Sequence, residues 1–167
     1  KIAMTTTSDF VSPIIDLQRA SLVVTKNEID NPVASGTTGN IIFNYQAETT
    51  PFSGSALAKH ITKPVTLANT AVGLKVFLGI NRPTGSFVDL YYKVKSDDTD
   101  LSEINWTLQT VLQPVGPSDD LNVYREHEYL IEESSSFTTF QLKLVFRTNN
   151  NSKVPVVTDL RAIALAL

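Results

Sequence analysis

The sequence predicts an all-β fold, an antiparallel β-sandwich of jelly-roll type, on three observations. Apolar and polar side chains alternate through several short stretches, which is the period of a strand with one buried face. Residues that favour turns separate those stretches at fairly regular intervals, and helical periodicity is almost absent. The chain has 167 residues and no cysteine. That length suits a single domain, 1–167, burying about 70% of the surface its unfolded chain exposes with no disulfide to staple it.

Taken in order, Phe10–Ile15 and Ala20–Thr25 are the first expected strands. Asn27–Gly39 carries proline and glycine without an apolar period and reads as a surface loop, with a strand following at Asn40–Tyr45. Ser53–His60 is the one stretch where a helix is entertained, and Ile61–Leu67 returns to strand. Leu74, Val76, Leu78 and Ile80 then alternate with Lys75, Phe77, Gly79 and Asn81. Val88, Leu90, Tyr92 and Val94 do the same against Asp89, Tyr91, Lys93 and Lys95. Pro83 and Gly85 lie between the two runs, so Leu74–Lys95 is expected to be a hairpin.

Ile104–Leu112 and Val123–Ile131 are the next strands. Phe140, Leu142, Leu144 and Phe146 form another, ended by the turn-favouring TNNNSK segment. Val154–Leu167 resumes as extended chain, with Pro155 marking a strand start, edge or bulge because proline donates no ladder hydrogen bond. In this last run Leu160, Ala162, Ala164 and Ala166 share one face, and Arg161, Ile163, Leu165 and Leu167 share the other. Both faces are largely apolar, so burial on both sides is expected. No repeat of about 20–50 residues stands out, which disfavours a propeller or solenoid.

Charge excludes some functions. The net charge is −3, with seven Lys/Arg against five Asp/Glu in residues 1–88 and three against eleven in residues 89–133. Nothing forms a basic nucleic-acid stripe. No apolar run approaches the roughly 20 residues of a membrane helix. A signal peptide is not recognisable, and a chain opening on Lys1 with Met4 in a polar stretch is expected to be a fragment of a longer protein.

Candidate chemistry is sparse. In SDDTDLSE, Ser96–Glu103, aligning Asp98, Asp100 and Ser102 with the first calcium-loop positions puts Glu103 where glycine belongs and Gln109 where a bidentate glutamate belongs. The motif fails, and a solvated loop is expected. His127 lies between Glu126 and Glu128, but in a strand those carboxylates point to the opposite face. His60 is remote, and both histidines are expected at the surface or an edge. There is no GxSxG elbow and no phosphate-cradling GxxxxGK[ST], and ASGTTGN at Ala34–Asn40 precedes no helix. Trp106, Tyr91, Tyr92 and Tyr124 offer rings on which sugars stack. Trp106, however, shares a strand face with Ile104 and Leu108 and is expected in the core. No catalytic, cofactor-binding or metal-ligating residue is assigned, no cofactor is expected, and the chain reads as non-enzymatic.

Three segments carry a family resemblance. DFVSPIIDLQRASLVV at Asp9–Val24, GLKVFLGINRPTGSFVDLYYKVK at Gly73–Lys95 and FQLKLVFRTNNNSKVPVVTDLRAIAL at Phe140–Leu165 resemble the C-terminal region of virion structural proteins of contractile-tailed bacteriophages, cyanophages especially. The KVP…DLRAIAL signature, Lys153–Leu165, is the most distinctive part. The resemblance implies a structural tail or baseplate domain, assembled in the bacterial cytoplasm and carried in the virion. Its implied partners are other tail or baseplate subunits, with self-association open and with neither nucleic acid nor membrane insertion involved. Such a domain is expected to present a flat or apolar patch and no deep polar cleft. The alternative is a carbohydrate-binding module contacting a host-surface glycan, which requires Trp106, Tyr91 or Tyr124 to be exposed in a groove.

Overall fold

Alternation sets where strands form, and register shows what they pair with. A computed structural model describes residues 11–16, 21–26, 48–52, 54, 56, 58–96, 99–148 and 153–166. The expected loop at Asn27–Gly39 and strand at Asn40–Tyr45 lie outside the described residues. β1 (Val11–Asp16) and β2 (Ser21–Lys26) form a two-stranded antiparallel sheet, with Val11 opposite Lys26 and Asp16 opposite Ser21.

The other strands are β3 (Lys59–Ile61), β4 (Val65–Asn81), β5 (Ser86–Lys95), β6 (Thr107–Gln109), β7 (Arg125–Thr148) and β8 (Val156–Leu165). They make a six-stranded antiparallel sheet ordered β6-β5-β7-β4-β8, with β3 also paired to β7. All described regular structure is strand; of the Ser53–His60 stretch, where a helix is entertained, Ser53, Ser55 and Leu57 lie outside the described residues, and Lys59 and His60 belong to β3.

β7 organises the fold. Its first half, Arg125–Glu132, pairs with Gly73–Ile80 of β4, while its second half, Thr139–Thr148, pairs with all of β5. Straight, its 24 residues would reach about 80 Å. Yet Arg125 opposes Ile80 and Thr148 opposes Ser86, and the chain from Ile80 to Ser86 spans at most about 20 Å. The strand is therefore bent back, around the exposed Ser134, Ser135 and Ser136. One layer is β8, the Gly73–Asn81 part of β4 and the first half of β7; the other is β3, the start of β4, where Val65 and Thr66 oppose Phe140 and Thr139, the second half of β7, β5 and β6. Between them lies one core, which includes Leu74, Val76, Leu78, Ile80, Leu90, Ile131, Leu142 and Leu144. The result is an all-β antiparallel sandwich. The described pairings do not establish the double Greek key of a jelly roll.

Three expectations change. Leu74–Lys95 is not a hairpin: its strands exist, but β7 lies between them. Their connection crosses from one layer to the other through a turn in which Gly85 has φ 83° and Ser86 N donates to Pro83 O at 3.0 Å. The expected strands Val123–Ile131 and Phe140–Arg147 are joined in one strand, which begins at Arg125. The terminal strand is not buried on both faces either. β8 pairs with β4 at the end of the strand order; Val157, Leu160 and Ala162 rest partly buried on the core, whereas Ile163 is 52% exposed. Alanines supplied much of the apolar pattern, but a methyl group has little area to bury.

Candidate functional site

Two groupings of polar side chains form on the sandwich, one under loops and one at its open end. The first covers the outer face of the β5–β7 layer. Tyr91 and Lys93 on β5 and Lys143 and Val145 on β7 project there, because they sit one residue out of phase with the core positions Leu90, Tyr92, Leu142 and Leu144. Trp106 and Ala56 close over them to make a second, smaller core.

Lys143 in this second core is fully buried and Glu48 is 2% exposed. The lysine Nζ lies 2.9 Å from Glu48 Oε2 and donates to Glu48 O at 2.6 Å. It also sits 4.7 Å from the Tyr91 ring centre and 4.9 Å from the Trp106 ring. Lys93 donates to Pro51 O at 2.6 Å and Leu101 O at 2.8 Å, with its Nζ 4.6 Å from the Trp106 ring. Burial pushes both lysines below the usual lysine range; the neighbouring Lys143 adds to the effect on Lys93, while Glu48 partly offsets it for Lys143. Glu48 Oε1 accepts from Ala56 N, and Lys59 Nζ donates to Gly54 O at 2.7 Å. These contacts strap the loops over the sheet. With Lys143 and Glu48 both buried and paired to each other, the grouping ties loop to sheet.

The second grouping lines an open cleft of about 320 Å³ between the β5 edge, the first half of β7 and the segment following β6. That segment is held to β7 by Leu112 N donating to Glu128 O at 2.7 Å and Gln109 Nε2 donating to Leu130 O at 2.7 Å. Val88, Val111, Pro114 and Val115 give the cleft apolar surface; Arg82, Asp89, His127 and Tyr129 give it polar groups. Asp89 is engaged by Arg147, whose Nη2 donates to Oδ1 at 2.8 Å and whose Nε lies 2.7 Å from Oδ2 without the alignment of a hydrogen bond. Arg82 donates to Ser86 O at 3.4 Å and to Val115 O, and its guanidinium stands 5.9 Å from the Phe87 ring centre.

His127 is 5% exposed and its Nε2 has no hydrogen-bond partner among the described residues. Burial lowers its pKa, and the positive charges of Arg82 and Arg125 lower it further. Tyr129 is pushed up to about 12 by burial first and by the Asp89 charge second. A polar cleft is a departure from what the sequence suggested for an assembly domain. Among the described residues that line it, Asp89 is the one carboxylate and none is a serine, so these residues assemble neither a carboxylate pair nor a serine–histidine pair.

Several expectations can now be placed. His127 points away from Glu126 and Glu128, which are on the outer face, but it is buried and not a surface histidine. His60 is exposed on β3. Trp106 is in the second core at 4% exposure, as expected, but not through a shared strand face: the expected strand Ile104–Leu112 is reduced to β6, which begins after Trp106, and Leu108 is 48% exposed. Tyr91 is buried there too, and Tyr124, 43% exposed, does not line the cleft. In the acidic stretch, Asp98 lies outside the described residues; Asp100 Oδ1 accepts from Ser102 N at 2.9 Å, an ordinary turn contact. Among the described residues no group of His, Asp and Glu forms a metal cluster, and no helix is long and apolar enough to cross a membrane. The polar grouping of the cleft was missed because Arg82, Asp89 and His127 are far apart in sequence and no local spacing links them. The chain matches no protein-family model, no curated protein and no solved structure.

Proposed function

We propose that this chain is a non-enzymatic structural domain of a contractile phage tail or baseplate, acting through contacts with neighbouring virion subunits. The observation that carries the reading is where the most distinctive resembling segment sits. Lys153–Leu165 contains β8, which pairs with β4 along one side and, among the described residues, with no strand along the other. An edge strand offers backbone donors and acceptors to another chain, which is how many proteins add a neighbour to a sheet. Val156 and Ile163 on it are exposed. Repetition in a symmetric particle makes even a short edge contact effective.

The carbohydrate-binding alternative loses support, because Trp106 and Tyr91 are buried and Tyr124, though exposed, does not line the cleft. The test is antibody labelling of particles of the phage that encodes the chain, viewed by electron microscopy. Label on the tail or baseplate is the expected result; particles that contain no copy of the chain by mass spectrometry overturn the reading. A glycan array should show no binding.

A further inference from the structure

The free edge of β8 carries opposite charges on either side of one residue. Asp159 and Arg161 flank Leu160. The two charged residues oppose Gly79 and Phe77 on the outer face of β4, whereas Leu160 opposes the core residue Leu78. The Arg161 and Asp159 side chains are 55% and 49% exposed. Within one copy Arg161 donates to Asp159 and Glu126. Beside this edge the sandwich is open. A groove of about 310 Å³ lies between β8 and β3, and its apolar lining is Leu144 and Phe146 of β7 with Val157 and Leu160 of β8.

Residues opposite each other in an antiparallel pair point to the same side of the sheet. A second copy that continues the sheet, core face to core face, through a two-fold axis at the edge must therefore have that axis on a residue. An axis on Asp159 or Arg161 sets like charges directly opposite, which is destabilising. An axis on Ala162 sets Asp159 against Leu165 and Arg161 against Ile163. An axis on Leu160 sets Asp159 opposite Arg161 of the second copy and Arg161 opposite Asp159 of the second copy, two complementary pairs in one contact. We propose that β8 pairs antiparallel with β8 of a second copy of this chain, about a two-fold axis at Leu160. Leu160 and Ala162 of the second copy then extend the core side of the sheet over the groove. The β-bulge between Gly79 and Ile80 bounds the regular ladder at about residues 158–162, so the contact is short and reversible. The inference rests on the proposed use of this edge for assembly and names the neighbour as the chain itself.

The chain has no cysteine, so a single introduced one reports the register. Opposed residues of an antiparallel pair have Cα atoms about 4.5–5.5 Å apart, within disulfide reach. Leu160→Cys, on the axis, is therefore expected to oxidise to a covalent dimer. Ala162→Cys is not, because its own counterpart lies about 13 Å further along the strand. Sedimentation of the unmodified protein from micromolar to millimolar concentration should show a monomer–dimer equilibrium. Asp159→Arg and Arg161→Asp, both at exposed positions, should each weaken it about tenfold as two cross-strand pairs turn repulsive. The double exchange should restore most of the loss. A protein that stays monomeric with no Leu160→Cys cross-link, a cross-link favoured by Ala162→Cys, or a dimer indifferent to the charge exchanges would each overturn the proposal. Particle labelling decides the assembly reading separately. Label on the tail with a monomeric chain overturns the self-pairing alone, and a β8-paired dimer absent from the particles supports the self-pairing while overturning the tail reading.

Discussion

The outer faces of the two layers use the same side-chain chemistry to opposite ends. On the β8–β4–β7 face, Lys75 and Arg161 stand over the Phe77 ring at 5.5 and 5.2 Å, with Lys75 2.6 Å from Glu128 and Arg161 paired to Glu126 and Asp159. On the β5–β7 face, Lys143 and Lys93 stand over Tyr91 and Trp106, with Glu48 as the counter-charge. The first set is in water, with the Arg161 side chain 55% exposed; the second is under loops, with the Lys143 side chain at 0%. Cation, ring and carboxylate are thus a surface ornament in one place and a structural strap in the other. What separates them is the chain that covers the second set, because a low dielectric enlarges both the attraction and the cost of an unpaired charge.

The comparison is broken most directly at Lys143. Lys143→Ala leaves Glu48 buried without its partner and should cost about 3–5 kcal/mol in denaturant unfolding; a loss below about 1 kcal/mol would show that the covered face behaves like an open one. Next comes Gly54→Ala. Gly54 has φ 80° and a Cβ there would run into the Glu48 carboxylate, so a loss of about 1–3 kcal/mol is expected, with the 48–58 segment losing protection in hydrogen exchange.

A smaller effect is set by pH. The folded protein holds His127 below the ordinary histidine value of 6.5, so around and below that value the unfolded chain binds more protons. Stability should therefore fall as pH drops from about 7 through 6, and His127→Phe should flatten that slope; equal slopes in the two proteins would contradict it. Carboxylates held low, such as Asp100 and Asp119, contribute only at lower pH. Smallest of all, Lys75→Ala should change stability by at most about 0.5 kcal/mol, and Arg161→Ala should leave the denaturant midpoint nearly unmoved, both effects shrinking further in high salt.

Period-2 alternation was enough to locate β4, β5 and the second half of β7, since each keeps one face on the shared core. It could not say which strand lies beside which. The turn chemistry of Pro83 and Gly85 is the same for a hairpin as for a crossover between layers, and the decision lies with β7, some 40 residues further on. Serines at 134–136 look like a loop because they are polar; they are polar because they face water at the bend of a continuous strand. The covered lysines were unreadable for a related reason. Lys93 and Lys143 alternate in the sequence as outward, solvated residues do, and only the loops folded over Trp106 bury them. For the cleft, the strand-face argument correctly separated His127 from its glutamate neighbours. Its burial depends on the segment around Val111, which is tied down by Leu112 N bonding Glu128 O.

The doubled-back β7 also sets how the molecule comes apart. Because one covalent strand supplies a member to each layer, neither layer can be peeled away without unzipping the other's ladder. Native-state hydrogen exchange should then find the amides of Tyr129–Ile131 and those of Leu142–Val145 opening at a common free energy, as one cooperative unit.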